Sequence, residues 1–204
     1  MQAAARLFAK QGFLGTTTRQ IATAAGLRQS AIFHWFPSKE AILEALFSRG
    51  WDRSLEYFER VRATRLSAAL KFCMCLSYDA RTVAAAERYI QLMIVPPELH
   101  QPKFRRLLAK RRRLIAYLEE FIRLATLDGD FRNVSPTQAA RMVLAIDEVV
   151  LDAARSETAP SADVHAAMVV DFAVRALAAD QGRVDKILRS FQLQSISSAA
   201  SLKS

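Results

Sequence analysis

"TTRQIATAAGLRQSAIFHWFPSK", residues 17–39, is the stretch on which the fold turns. Thr17 with Gln20 three positions later forms a capping box, which predicts a short helix that stops at Gly26. A second short helix runs to Phe36, where Pro37 breaks it and Ser38 caps the next one. Apolar residues fall at Ile21, Ala25, Leu27, Ile32 and Trp35, with small Ala22 facing the partner helix. Two helices that cross steeply need a small residue where their backbones approach and a glycine where the chain reverses. The spacing therefore predicts a helix-turn-helix.

Helix signals continue on both sides. Upstream, Ala4, Leu7 and Phe8 lie on a first helix that ends at Gly12. Downstream, a fourth helix is expected from Lys39 to about Ala63, and Ser67 caps a fifth that must end before Pro96-Pro97. Pro102 suits the first turn of a helix running to about Asp128. Ser135-Pro136-x-Gln138 opens another to about Ser156, and Ser161 starts the last long one, ending near Gly182. The tail, "SISSAASLKS", is low in complexity and is expected to be disordered. Sustained period-two alternation and hairpin dipeptides are missing. The expected class is all-α, with a three-helix helix-turn-helix domain at 1–45, a helical-bundle domain at 46–182 and a short carboxy-terminal segment at 183–204.

Charge is unevenly placed. The net charge of +9 concentrates in residues 1–39, with five basic residues and no acid, and residues 103–113, with seven and none. The first island coincides with the helix-turn-helix, which is the footprint of phosphate binding. With 51% hydrophobic and 24% charged residues the chain is globular, not disordered. Asp147, Asp171 and Arg175 interrupt the richest apolar runs, so no membrane span is expected, and no export signal is seen; a cytoplasmic protein is expected. Cys73 and Cys75, two apart on a helix, and three scattered histidines suggest neither a disulfide nor a metal site. No glycine-rich phosphate loop or nucleophile–base pair is present, so neither a cofactor nor enzymatic activity is expected.

"LFAKQGFLGTTTRQIATAAGLRQSAIFHWFPSKEAIL", residues 7–43, resembles the DNA-binding region of the tetracycline-repressor (TetR) family of bacterial regulators. The likeness lies in a helix ending in Phe and Gly, the Thr residues, Ile-Ala-x-x-Ala-Gly, an apolar-aromatic-x-x-Phe helix and a Lys opening the fourth helix. It is specific over residues 4–47 and loose beyond. It implies that residues 29–36 are a recognition helix. Ile32, Trp35 and Phe36 would then anchor it from behind, while Gln29, Ser30, Ala31, Phe33 and His34 face the major groove. Family members usually carry Tyr where Phe33 stands, so one phosphate-reaching hydroxyl is absent. Thr17 and Thr18 offer hydroxyls and a helix N-terminus to phosphate, and Thr17 also caps. Arg19 suits a guanine edge or a phosphate, and Gln29 suits adenine. Arg28 stands where the family usually has a capping Ser, which forgoes about 1 kcal/mol and puts a guanidinium at the groove mouth. Lys39 is expected to bind phosphate as a point charge.

The same resemblance implies a homodimer on a palindromic operator, a small-molecule effector of unknown identity, and repression relieved by that effector. A helix at 136–156, apolar around much of its circumference, would pair with the last long helix and their copies in a four-helix bundle. The interface residues would be Met142, Ile146, Val149, Val150, Val169, Val170, Ala173 and Leu177. Pocket candidates are Tyr78, Tyr89, Met93, Phe104, Tyr117 and Phe121. In the island at 103–113, Lys103, Arg106, Lys110 and Arg113 are expected on a solvated face. Arg111 falls on the apolar stripe, where it needs Glu87, Asp147 or an anionic ligand. The alternative function is a helical membrane-surface or scaffold protein that uses residues 103–113 against anionic lipid.

Overall fold

The structure, a computed structural model, describes residues 1–85, 101–153 and 160–201, without the side chains of 147–153 and 196–201. Nine helices are labelled: α1 Gln2–Gln11, α2 Thr18–Ala24, α3 Gln29–Trp35, α4 Lys39–Arg62, α5 Ala68–Ala84, α6 Arg105–Leu127, α7 Pro136–Ala153, α8 Ala162–Leu177 and α9 Gln181–Ser201. A 3-10 turn, Pro102–Phe104, leads into α6. Among the described residues there is no strand, only an isolated bridge between Phe131 and Ala178.

Hydroxyl caps start four of the long helices. Ser38 accepts from the Ala41 amide at 3.2 Å, Ser67 from Leu70 at 3.4 Å, Ser135 from Gln138 at 3.5 Å and Ser161 from Val164 at 3.3 Å. Gly12 ends α1 at φ 75°, a conformation that a side chain would strain.

Two apolar clusters organise the chain. The amino-terminal cluster joins Ala4, Ala5, Phe8, Phe13, Ile21, Ala22 and Ile32 to Ile42, Leu43, Leu46 and Phe47 of α4. It also takes in Phe104 and Leu107, so the start of α6 seals the three-helix head from outside it. The larger cluster packs α5 against α8, with α4, α6, α7 and α9 around them. Trp51 touches both clusters. Between α4 and α5, Ser54 donates a buried hydrogen bond to Asp79 at 2.7 Å.

One expectation is corrected here. The last long helix does not run to Gly182, and the tail is helical through Ser201. Ala178 is extended (φ −58°, ψ 146°), and the chain beside it is held to the α6–α7 turn. There the Arg132 amide donates to Leu177 O at 2.8 Å and the Ala179 amide to Asp130 O at 3.1 Å. Asp180 then caps α9 by accepting from the Arg183 amide at 2.8 Å. Val184, Ile187 and Phe191 are buried on one stripe of α9, each contributing about 2 kcal/mol of apolar burial. The alanine-rich segment 176–179 has no Gly or Pro to signal the break. Tertiary hydrogen bonds impose it.

Candidate nucleic-acid interface

The entry to α2 is fixed by a closed set of hydrogen bonds. The Thr17 hydroxyl accepts from the Gln20 amide at 3.2 Å, and Gln20 Oε1 accepts from the Thr17 amide at 2.8 Å, completing the capping box. Gln11 Nε2 donates to Gln20 Oε1 at 3.2 Å, to Thr16 Oγ1 at 3.3 Å and to Gly15 O at 3.0 Å. A Cβ on Gly15 would stand 2.5 Å from Gln11 O, so only glycine lets the turn close this tightly. The Thr17 hydroxyl also donates to Gln20 Oε1 at 3.0 Å, so its hydrogen-bonding capacity is largely spent inside the cap.

α3 is anchored by buried Ile32 and by half-buried Phe36, which packs on the amino-terminal cluster. Gln29, Ser30, Phe33 and His34 are exposed, and Ala31 is half-buried. Gln29 Nε2 donates to Thr18 Oγ1 at 3.0 Å, tying the first turn of α3 to the first turn of α2. Arg28 stands at the N-cap without a side-chain capping bond, and Arg19 and Arg28 are both exposed. One anchor assigned from the sequence, Trp35, is corrected, and of the apolar positions read there Ala25 and Leu27 are exposed as well. Trp35 is 75% exposed and Leu27 is 51% exposed. Helical spacing puts Trp35 on the anchoring side, but it is the last residue of α3 and stays largely uncovered. Its ring meets His34 edge-on at 5.4 Å instead.

Lys39 lies differently from a free point charge. Its Nζ donates to Phe13 O and to Thr16 O, both at 2.7 Å, and sits 4.4 Å from the centre of the Phe13 ring. The next residue, Glu40, pairs with Lys103 at 2.8 Å, and the Lys103 ammonium holds its carboxyl below the usual value. The acid nearest the head in sequence is thereby neutralised.

In the second basic island Lys103, Arg106 and Arg113 are exposed, as expected of a solvated face, and Lys110 is half-buried; among the described residues three of the island's seven cations are ion-paired. Along α4 and α6, Lys110 pairs with Asp52 at 2.7 Å and with Ser48, and Arg113 pairs with Glu59 at 2.6 Å. Glu59 also accepts from the Tyr117 hydroxyl at 3.2 Å, and Arg62 meets Glu120 at 3.2 Å. Such exposed pairs stabilise little individually, but together they fix the register of α6 on α4. Arg106 is exposed as expected. Arg111 is half-buried and engaged, while Glu87 lies outside the described residues, as does the side chain of Asp147.

The pocket candidates do not form one set. Tyr117 and Phe121 stack at 6.4 Å on α6, and half-buried Tyr78 stacks flat on Tyr57 at 4.0 Å. Phe104 is fully buried in the amino-terminal cluster, away from them. Tyr89 and Met93 lie outside the described residues. Both cysteines are buried, which pushes their thiols up and makes them inert. Among the described residues no group of His, Cys, Asp and Glu has the makings of a metal site, and no helix is long and apolar enough to cross a membrane.

The candidate dimer residues separate into two faces. Val169, Val170, Ala173 and Leu177 are buried in the protomer's own core, which corrects their assignment to an interface. The exposed apolar side chains of α8 are Val164, Met168 and Phe172, spaced by four, at 51%, 61% and 60% exposure. On α7, Met142 is 67% exposed and Ile146 is half-buried; the side chains of Val149 and Val150 lie outside the described residues. The four-residue spacing was readable in the sequence, but a helix apolar on two sides does not say which side is outward.

Residues 1–46 match the family model described as "Bacterial regulatory proteins, tetR family". The chain is 34% identical over 79 residues to the HTH-type transcriptional repressor KstR2 of Rhodococcus jostii (strain RHA1), an alignment covering 38% of this chain and 39% of that one. It is 26% identical over 136 residues to the KstR2 repressor of Mycolicibacterium smegmatis, covering 65% of each. The chain thus spans under two thirds of the length of both relatives. The solved structure of AibR in complex with isovaleryl coenzyme A and operator DNA shares the fold at a TM-score of 0.70 and 22% identity, covering 87% of this chain and 95% of that one.

Proposed function

We propose, from the premise that this chain belongs to the tetR family of bacterial regulatory proteins, that it is a sequence-specific DNA-binding regulator. In this proposal it represses transcription as a homodimer and leaves its operator when a small molecule binds the second domain. The observation that carries the proposal is the surface of α3. Gln29, Ser30, Phe33 and His34 are exposed together on a helix held from behind by Ile32, on a head whose exposed ionic side chains up to residue 38 are all cationic. Gln29 carries an amide matched to an adenine edge, and Arg19 and Arg28 supply guanidinium groups at the rim. The exposed stripe Val164, Met168 and Phe172, with Met142, supplies a self-complementary apolar face for a two-fold dimer.

AibR, solved with both an acyl-coenzyme A and its operator, supports the pairing of effector and DNA on this fold. The mechanism is a population shift: effector favours a spacing of the two heads that no longer matches one helical turn, about 34–36 Å. An effector that binds both spacings equally releases nothing. A lipid-surface role for residues 103–113 is disfavoured, because Lys103, Lys110 and Arg113 already answer carboxylates of α4. The test is selection of bound duplexes from a random pool with the full chain. A palindrome whose half-sites lie one helical turn apart is expected; a pool that stays random after repeated rounds would refute the proposal.

A further inference from the structure

Resting on the reading of this chain as a DNA-binding regulator, we infer that Arg105 and Arg106, at the start of α6, extend the DNA interface as phosphate contacts supplied by the second domain. They belong to the run of basic residues at 103–113. Within it Lys103 is answered by Glu40, Lys110 by Asp52 and Arg113 by Glu59. Arg105 and Arg106 are exposed and meet no carboxylate among the described residues, and the first turn of α6 holds no acid.

The packing of α6 brings these two arginines to the DNA-binding end of the molecule. Ion pairs between α4 and α6 join Glu40 to Lys103, Asp52 to Lys110, Glu59 to Arg113 and Arg62 to Glu120. The partners' numbers rise together, so the two helices run parallel and begin at the same end. That end is the head. Lys39 and Lys103 lie 4.4 and 5.7 Å from the centre of one ring, that of Phe13, beside the turn that leads to the Thr17 cap. Phe104 and Leu107 are 1% and 0% exposed in the head's own cluster, so the turn that carries the arginines is clamped to the head. With both apolar neighbours turned inward, Arg105 and Arg106 project from the other side of that turn. They continue the cationic surface of the head, where Arg6, Lys10, Arg19 and Arg28 are all exposed. A duplex carries one negative charge per about 1.7 Å of its axis, so a backbone that passes the starts of α2 and α4 has further phosphates to offer. The guanidinium fork matches phosphate oxygens.

Salt-dependent binding of the full chain to two duplexes, one enriched by selection and one of random sequence, tests this. Arg105→Gln/Arg106→Gln is compared with Arg112→Gln/Arg123→Gln, which removes the same charge from exposed positions further along α6. A phosphate contact is indifferent to sequence. The slope of log K against log salt is therefore expected to lose about 0.9 in magnitude for each arginine taken out of the complex, on both duplexes. The bases enriched by selection should stay the same, and the control should keep the native slope. A native slope in the first variant overturns the inference. So does an equal loss in the control, which is an effect of net charge alone. Vesicles of phosphatidylcholine and phosphatidylserine form a third arm. Retention of the native chain that the first variant loses, with native slopes on DNA, assigns the arginines to a lipid surface and overturns the inference too. If selection enriches nothing but the random duplex is bound, the regulator reading fails while the slopes still decide what the arginines do. A chain that binds neither duplex overturns both.

Discussion

Gln29 and Ile32 sit three residues apart on α3 and are expected to fail in different ways. Gln29 is exposed and holds Thr18 through one hydrogen bond, so Gln29→Ala should leave stability almost unchanged. It should instead alter the base enriched at one position of each half-site, with a preference lost worth about 1–3 kcal/mol. Selection with the variant, sequenced beside the native pool, reads this directly. Ile32 is the buried anchor of α3 at 8% exposure, and Ile32→Ala should destabilise the head by about 2 kcal/mol. Urea denaturation followed by circular dichroism measures that loss, and an unchanged midpoint would mean that α3 is held by something else. Trp35 is the residue for which spacing misled. Its position on the helical wheel is on the anchoring side, yet burial depends on whether a neighbouring element extends that far.

At the scale of elements, α8 carries two apolar faces with opposite fates. Val169 is 2% exposed and faces the protomer core, whereas Phe172 is 60% exposed. A charge at the first position has no water or partner, so Val169→Asp should unfold the second domain. Phe172→Asp should keep the helical signal but convert a dimer to a monomer, as sedimentation velocity would report. If Phe172→Asp sediments as the native chain does, the proposed dimer does not rest on this face. α4 and α6 show the complementary lesson for charge. Seven basic residues in residues 103–113 read as an isolated cationic run, but the carboxylates that answer three of them, Glu40, Asp52 and Glu59, are more than fifty residues away in sequence. Only the packing of α6 along α4 brings the two sets together.

Across the whole molecule, the two clusters meet at Trp51, while α6 reaches the head through Phe104 and through the pair of Glu40 with Lys103. Glu40 has its carboxyl held below the ordinary 4.5 by the Lys103 hydrogen bond, so its folded form binds protons less readily than its unfolded form. The stabilisation is therefore present above 4.5 and is lost as pH falls through the lower, folded value. The pair is partly exposed, so the effect is expected to be under about 1 kcal/mol. Native chain and Glu40→Gln should melt with a difference at neutral pH that closes in acid; a constant difference would mean that the pair contributes nothing pH-dependent.

The sequence by itself determined the all-helical class, the serine caps, the capping box at Thr17 and the turn at Gly26, because these depend on residues within four positions of one another. It also located the head, since the acid-free island and the helix-turn-helix spacing are contiguous. What the tertiary structure alone decided is which of two apolar faces of α8 is buried, where α8 ends and α9 begins, and what Lys39 and Lys103 hold. Each of those is settled by a partner distant along the chain, and local periodicity carries no information about whether a distant partner is present.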